Sequence, residues 1–283
     1  MRITFTIKSI LLFLLISTSN CTISQKQIAE FSKNLNETSA LTCLPDGKFI
    51  TLNDSGNESY LFVFNLEGKV VHKCLIENAP NVDWEAMAFD GDNRLFIGDI
   101  GNNKNNRKNL AIYEVVLDKV LNENSTTAKK FSFSYPDQKA FPPEKPELYY
   151  DAEGMVYKND SIFIFTKNRT VPFDGVVKVY AVPLLETATE AIPYPDLNLP
   201  ATSWLEDSVT DAFLDGNRIF LLTYSKIYVF EWLQNGKWKK LDELEFDGAS
   251  QKEGICFQNE TIYITAEKSI LGKASLYKIP YAK

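Results

Sequence analysis

Histidine is almost absent from this sequence, since His72 is the only one among 283 residues. Ser-His-Asp and Cys-His mechanisms need an imidazole as the base, so each would depend on His72, which lies in a strand-like segment. The sequence also lacks a G-x-S-x-G nucleophile elbow, a Walker phosphate loop and a dinucleotide-binding fingerprint. If the chain is an enzyme, carboxylates and a metal ion are the groups left to carry its chemistry.

Basic charge is scarce as well. The chain has 30 Lys and Arg against 37 Asp and Glu, a formal net charge of −7, and no basic stripe. This balance argues against nucleic acid or an anionic membrane surface as the natural partner and favours cations or neutral ligands. No C-x-x-C motif is present, so a cysteine metal site or a dithiol redox motif is not expected.

Long apolar runs are missing except near the start of the chain. Residues 1–21 combine Arg2 and Lys8 with an apolar stretch and then small and polar residues, a pattern typical of a secretory signal and too short for a stable membrane span. The stretch ends in a lipobox-like Ser-Asn-Cys, which predicts lipid modification of Cys21, although a plain signal peptide is the alternative. We therefore expect one mature domain, residues 22–283, in the bacterial cell envelope, held to the membrane only by the lipid and monomeric.

Three cysteines, Cys43, Cys74 and Cys256, remain if Cys21 is acylated. Cys43 and Cys256 occupy equivalent parts of the first and last repeats described below, so a closed ring would bring them together and an oxidising compartment would allow a pair. We favour the simpler interpretation, that they are buried apolar thiols in strands.

A convincing long amphipathic helix is also missing, and what the chain contains instead is a phrase that recurs five times. Each copy has an acidic residue, small residues and an apolar alternation that passes through a turn into a second strand. A unit that cannot bury its own face must stack against its copies, so the phrase predicts a repeat architecture. The recurring acids are Glu37, Glu85, Glu153, Asp211 and Glu253.

Each phrase supplies two strands, and the following segments supply a third and a fourth, which predicts an all-β chain folded as one β-propeller of four-stranded antiparallel blades. Five blades are favoured, with six as the alternative. The last unit is one strand short, and residues 22–36 can supply that strand and close the ring. Three inserts are predicted as loops: Asn102–Asn109, Pro136–Pro146 and Pro193–Pro200.

A residue that recurs at the entry of the innermost strand should lie at one mouth of the central channel, so the five acids are expected to converge there. Crowded carboxylates repel unless they are protonated or neutralised, which makes Ca²⁺ a natural occupant. The competing interpretation is that each acid caps a turn.

Polar and charged residues that follow the second strands form a predicted ligand rim around the same mouth. Some of them are also what tight turns demand, and others are expected to bind an anion near the cation. The predicted rim consists of Asn53, Asp54, Asp99, Asn102, Arg107, Lys167 and Arg169.

Four short sequence segments resemble segments of secreted bacterial propeller proteins, often lipoproteins, near the SdiA-regulated and esterase-like phytase groupings. They are Asn53–Asn57, Trp84–Ala88, Ile97–Asn103 and Asp151–Met155. A more distant resemblance is to calcium-activated nucleotidases (apyrases), which implies a five-bladed fold with a central Ca²⁺. The matching positions here are Glu37 with Ser39, Glu85 and Glu253. The long nucleotide-gripping loops of that family are not recognisable, so the resemblance does not carry its hydrolysis to this chain.

These observations predict an extracytoplasmic, lipid-anchored binding module that takes a small-molecule or protein ligand at the propeller mouth, with any central cation structural. The alternative is a Ca²⁺-dependent hydrolase of phosphate esters or lactones, in which one carboxylate activates water. The first is favoured because the sequence offers a credible cation site but no base, nucleophile and anion site together.

Overall fold

The computed structural model describes residues 22–23, 25–248, 250–270 and 272–282. The predicted signal segment and Cys21 lie outside the described residues. Helix is limited to α1 (Leu117–Asn122), α2 (Trp204–Asp207) and the single 3₁₀ turns Lys33–Leu35 and Lys145–Glu147 within the described ranges. Among those residues, no helix has the length and apolar character needed to cross a bilayer.

The remaining regular structure is β-strand. In chain order the strands are β1 (Thr22–Ile23), β2 (Lys26–Glu30), β3 (Thr38–Cys43), β4 (Phe49–Asn53), β5 (Tyr60–Phe64), β6 (Val70–Ile76), β7 (Trp84–Phe89), β8 (Arg94–Asp99), β9 (Ala111–Val116), β10 (Ser125–Thr126), β11 (Lys129–Ser134), β12 (Asp151–Lys158), β13 (Ser161–Lys167), β14 (Val176–Pro183), β15 (Thr189–Glu190), β16 (Ile192–Asn198), β17 (Val209–Asp215), β18 (Arg218–Thr223), β19 (Lys226–Trp232), β20 (Trp238–Phe246), β21 (Lys252–Gln258), β22 (Thr261–Ala266) and β23 (Ser275–Pro280).

The strands form five sheets, which are the blades of a five-bladed propeller, so the prediction of five rather than six blades is confirmed. From the channel outward, blade one is β3-β4-β5-β6, blade two β7-β8-β9-β11, blade three β12-β13-β14-β16, blade four β17-β18-β19-β20 and blade five β21-β22-β23-β2. The first strand of each blade packs against the first strands of its two neighbours, so these five strands surround the channel. Blades one, two and four each gain a short parallel strand at the outer edge: β10, β15 and β1.

The hydrophobic core is divided between the blade interfaces. Five clusters of buried side chains each lie between two neighbouring sheets. Strands β4 and β8 are buried on both faces because each sheet is covered by a blade on either side, and their sequences are accordingly almost continuous apolar runs. The repeat is therefore stable only as a stack, as the recurring phrase predicts.

The N-terminal segment closes the ring as predicted. Strand β2 pairs antiparallel with β23 and completes blade five. The chain before it adds β1 to blade four, where Thr22 pairs with Glu245 and Ile23 with Phe246. The segment therefore joins two blades, whereas only the last blade was expected to receive it.

Two sequence-based interpretations are wrong. Cys43 and Cys256 form a disulfide between β3 and β21, although free thiols were favoured; of the cysteines in the described ranges, Cys74 is free and buried. The proline-rich stretch predicted as a loop is mostly strand β16. It is the outermost strand of blade three, where Pro193 and Pro195 need no N–H group for a further neighbour.

Candidate functional site

All five innermost strands have a break in register against their partner strand within their first few residues; in blade one it falls between Ser39 and Thr42. In blade two, Trp84 pairs with Asp99 and Ala86 with Gly98, so Glu85 is the extra residue. The same shift leaves Glu153 extra in blade three, Thr210 in blade four and Glu253 in blade five. A bulge of this kind turns its side chain out of the normal alternation. Here it accounts for three acids at one end of the channel.

The glycines that follow Glu153 and Glu253 are required by packing near the axis. A Cβ atom on Gly254 would lie 2.3 Å from Thr265 Oγ1 and 2.8 Å from the carbonyl carbon of Ala40. A Cβ atom on Gly154 would lie 3.1 Å from the Cβ of Ala212. The recurring acid-small pattern therefore has two causes, a bulge and the close approach of neighbouring innermost strands.

The three bulge acids line a cavity of about 150 Å³ at the channel mouth, which we call the pit. A second set of pit residues comes from the ends of the second strands: Asp54, Lys167, Tyr224 and Glu267. Ser39, Asn103, Arg169 and Gln251 complete the lining. The pit thus holds five carboxyl groups, Asp54, Glu85, Glu153, Glu253 and Glu267, against the two basic side chains of Lys167 and Arg169.

Lys167 supplies a built-in cation at the wall of the pit. Its Nζ atom lies 2.5 Å from Glu153 Oε2 and donates to the Tyr224 hydroxyl at 2.8 Å, and its side chain is only 2% exposed. Burial acts to lower the pKa of Lys167, but the neighbouring Glu153 and Glu253 outweigh it and the pKa is raised well above its usual value. Lys167 is therefore a permanent positive charge in contact with the carboxyl cluster.

Arg169 continues this basic wall. Its Nε atom donates to Asp151 Oδ2 at 2.5 Å, and its guanidinium also donates to Asn103 and lies 3.7 Å from Glu153 Oε1. The ring of Trp204 lies 5.2 Å from the Arg169 guanidinium and 5.3 Å from Lys167 Nζ. The two cations are thus held by carboxylates on one side and by an aromatic face on the other.

The pit carboxyls are harder to ionise than free ones. Burial, followed by repulsion from neighbouring carboxylates, raises the pKa of Glu85 well above its usual value, and burial likewise raises the pKa of Glu153. Burial raises the pKa of Glu253 to about 7 and that of Glu267 to about 7, and it raises the pKa of Asp54 to about 6. These carboxyl groups would release protons when a cation enters.

Glu253 is the pit carboxyl with a buried oxygen atom that lacks a hydrogen-bond donor. Its side chain is 8% exposed, and its Oε2 atom is buried with no hydrogen-bond partner. Glu85, by contrast, accepts from the Ser39 hydroxyl at 3.4 Å, and Glu153 accepts from Lys167. A buried carboxylate oxygen without a donor costs free energy, so the pit is suited to a ligand that donates protons or carries positive charge.

The other two predicted ring acids lie elsewhere. Glu37 is exposed before β3 and accepts from Asn57 Nδ2 at 2.6 Å. Asp211 is one position beyond the bulge and is buried, where its oxygens accept the N–H groups of Ala212 at 2.8 Å and Ile255 at 2.7 Å. Asp211 thus bridges blades four and five. The structure brings Glu85, Glu153 and Glu253 together and places Ser39 and Thr210 near the mouth in the other two blades.

The predicted rim separates into pit residues and loop-holding residues. Asp54, Lys167 and Arg169 line the pit. Asn53 donates to the Asn34 carbonyl, and Asn102 holds the Tyr150 carbonyl, the Asp151 carboxylate and the Arg107 N–H. Arg107 pairs with the buried Asp99 at 2.9 Å. These last contacts stabilise the loop after β8, as the turn interpretation expects.

Sequence reasoning missed Tyr224, Glu267, Gln251 and Trp204. Tyr224 directly follows β18 and Glu267 directly follows β22, which is the phase of Asp54 after β4. Extending the second-strand rule to blades four and five would have found both. Nothing in the repeat marks Trp204, because it belongs to α2 in an insertion before blade four. His72 lies on β6, the outermost full strand of blade one, where its Nε2 atom is 2.9 Å from the Glu123 carbonyl.

No group of three or more His, Cys, Asp or Glu side chains within the described ranges is arranged to hold a metal ion. The carboxyl oxygens suit Ca²⁺ by type, but one of them is already paired with Lys167. The Ca²⁺ site therefore stays a prediction.

No protein-family model matches this chain, and no curated protein sequence matches it. Solved structures do resemble it. Glutaminyl cyclase of Myxococcus xanthus is 12% identical, with 90% of this chain and 95% of that chain covered and a TM-score of 0.52. A structure from the GH130 family of mannoside phosphorylases, described as containing glycoside hydrolases that target β-1,2-mannosidic linkages in Candida mannan, is 13% identical, with 92% and 94% covered and a TM-score of 0.51.

At these identities the similarity concerns the fold. The likeness agrees with the all-β propeller fold that the sequence predicts. The neighbours include enzymes. The narrower resemblance to SdiA-regulated, phytase-like and nucleotidase propellers stays a prediction.

Proposed function

We propose that this chain is an extracytoplasmic, lipid-anchored binding module whose pit takes a cationic group presented by a small-molecule ligand or a protein side chain. One observation carries this proposal: the buried Glu253 Oε2 atom has no partner inside a cavity that holds five carboxyls and two basic side chains. A cation would supply the missing partner and reduce the repulsion among the carboxyls. Ca²⁺ is the inorganic candidate and an ammonium group the organic one.

The proposed location is supported by the disulfide between Cys43 and Cys256. Structural disulfides persist in oxidising compartments and are rare in the cytosol. This agrees with the secretory character of residues 1–21 in the sequence.

Calorimetry with Ca²⁺, methylammonium and guanidinium, alongside elemental analysis of the purified protein, tests the proposal. We expect at least one of these cations to bind, more tightly at pH 8 than at pH 5, because the pit carboxyls must lose protons to receive it. Glu253→Gln should weaken binding at least tenfold.

The matched control is Glu67→Gln, since Glu67 is exposed in the turn between β5 and β6. Its affinity should equal that of the wild type. The proposal fails if no cation binds and no metal is found in the protein, or if Glu67→Gln weakens binding as much as Glu253→Gln does.

A hydrolase is the second candidate, favoured by carboxyls whose pKa values of about 7 suit general acid or base work beside Lys167 and Arg169, which could hold an anion. A phosphate monoester and a lactone should then turn over, with or without Ca²⁺, and Glu253→Gln should reduce kcat by at least a hundredfold. The absence of turnover under both conditions would leave binding as the function.

A further inference from the structure

An apolar groove opens directly beside the pit, between blades four and five. Its volume is about 570 Å³, and its lining includes Trp204, Leu205 and Phe246, which we call the shelf. Tyr224 and Gln251 line both the shelf and the pit. The two cavities are therefore neighbouring parts of one mouth.

The shelf is held in place by a short, well-fixed helical turn. Ser203 caps α2 by accepting the Glu206 N–H at 3.2 Å. Asp207 accepts the Thr202 N–H at 2.8 Å and the Tyr228 hydroxyl at 2.6 Å. These bonds tie α2 to blade four, so its apolar side chains are positioned before any ligand arrives.

This turn presents apolar surface to solvent. Leu205 is 63% exposed, and Trp204 next to it is only partly buried. The Trp204 ring lies 5.7 Å from the Tyr224 ring, so an aromatic surface leads from the shelf toward the pit. Exposed apolar residues that rim a polar cavity are typical of a ligand-binding site.

Basic and acidic side chains both border the shelf. Lys167 ends the second strand of blade three and Arg169 follows it, and the charged groups of both lie beside the Trp204 ring, where they are already paired with Glu153 and Asp151. Glu253, Glu267 and Gln251 belong to blade five, on the shelf side, and Gln251 donates to Glu267 at 2.5 Å. Because Lys167 and Arg169 are already paired with carboxylates, the unsatisfied group beside the shelf is the Glu253 Oε2 atom.

We propose that the ligand is an amphiphilic cation, with a primary ammonium group in the pit at Glu253 and an aromatic or branched apolar body on the shelf of Trp204 and Leu205. This inference rests on the proposed function, because it needs the pit to accept a cation. The small pit admits an ammonium group and little more, while the larger shelf accepts the rest of the molecule. A carboxylate in place of the ammonium would be repelled by the acidic pit.

Calorimetry with four probes tests this inference: methylammonium, 2-phenylethylammonium, 2-phenylethanol and phenylacetate. We expect 2-phenylethylammonium to bind at least tenfold more tightly than methylammonium, and phenylacetate not to bind. Trp204→Ala and Leu205→Ser should each reduce this ratio, and Leu205→Ser should leave the affinity for methylammonium unchanged. Leu205 is exposed, so its replacement should not impair folding.

Leu241→Ser is the matched control, because Leu241 is 44% exposed on β20, the outermost full strand of blade four. It should keep the ratio of the wild type. The role of the shelf would be disproved, while the pit proposal stands, by either of two results. One is equal affinity for the two ammonium probes, and the other is an affinity ratio that Trp204→Ala and Leu205→Ser do not reduce. Binding of phenylacetate as tightly as 2-phenylethylammonium would overturn the assignment of charge. If neither ammonium probe binds, the inference fails, and binding of Ca²⁺ or guanidinium decides whether the pit proposal survives.

Discussion

At the scale of single residues, the buried carboxyl groups that make the pit a candidate binding site also reduce the stability of the fold. Five carboxyls share a small cavity, and burial makes each of them resist ionisation. Lys167 offsets part of this cost by pairing with Glu153. The arrangement is typical of a cation-binding site rather than of a structural core.

The pH dependence of stability follows from Glu253. In the unfolded chain this carboxyl ionises near 4.5, whereas burial raises its pKa in the folded state to about 7. Between these values the folded state retains a proton that the unfolded chain has lost, so the free energy of unfolding falls as pH rises and levels off above 7. Glu253 contributes to this fall, and Glu267 and Asp54 act in the same direction.

Urea unfolding at pH 5 and pH 8 checks this prediction. The wild type should be more stable at pH 5, and Glu253→Gln should reduce the difference, while Glu67→Gln keeps it. Greater stability of the wild type at pH 8 would contradict the assignment of raised pKa values to the pit.

At the scale of the strand, the close approach of the innermost strands should make their glycines hard to replace. Gly254→Ala would force a methyl group against Thr265 and the backbone of Ala40. We expect a loss of about 2 kcal/mol in the free energy of unfolding, seen as a fall of roughly 5 °C in Tm, because overpacked sites must shift their backbone. Gly272→Ala, where no atom lies within 4 Å of the added Cβ, should leave Tm unchanged.

The same variant reports on the site. Glu253 immediately precedes Gly254 at the bulge, so a displaced backbone should also weaken cation binding. A Gly254→Ala protein with the Tm and affinity of the wild type would show that the innermost strands are less tightly packed than the structure indicates.

The strand pattern was readable from the sequence because alternating and continuous apolar runs report burial directly. The sequence did not show which acidic residue of each innermost strand faces the channel mouth. Asp211 looks equivalent to Glu253 in the sequence, but the bulge in blade four falls on Thr210 and moves Asp211 into the blade interface. Glu37 stands just before its strand, and its side chain points to solvent. A shift of one residue in register reverses the direction of a side chain, and sequence periodicity does not resolve it.

Trp204 could not be found from the sequence for another reason, and for the same reason the Cys43–Cys256 pair was raised by the repeat but not favoured. Both depend on contacts between segments far apart in the chain: Trp204 with Lys167 and Arg169 in blade three, and Cys43 with Cys256 across the closure of the ring. The repeat predicts that such segments meet but not which atoms touch.

At the scale of the whole molecule, the ring is closed twice, by β2 in blade five and by the disulfide between blades five and one. The cysteines are 213 residues apart, and cross-linking so long a loop restricts the unfolded chain by about 5 kcal/mol in the chain-entropy model. We expect the Cys43→Ser, Cys256→Ser double variant to lose on the order of 10 °C in Tm.

A reductant provides the internal control. It should lower the Tm of the wild type toward that of the double variant and leave the double variant unchanged. Cys43 lines a cavity with Met87 and Met155 that the pit residues do not share, so affinity for a cation should be kept in the double variant. Equal Tm values for oxidised and reduced wild type would contradict a role for this bond in stability.

The pairing of β1 with β20 places the start of the described chain beside the shelf. Thr22 and Ile23 are paired with Glu245 and Phe246, which line the shelf, and Gln25 donates to the Asp247 carbonyl. Under the proposed acylation of Cys21, the lipid would begin one residue before this pairing, with no flexible spacer between bilayer and blade. An anchor at that position would hold the shelf near the bilayer surface, so the molecule would take an amphiphilic ligand from the lipid phase rather than from bulk water.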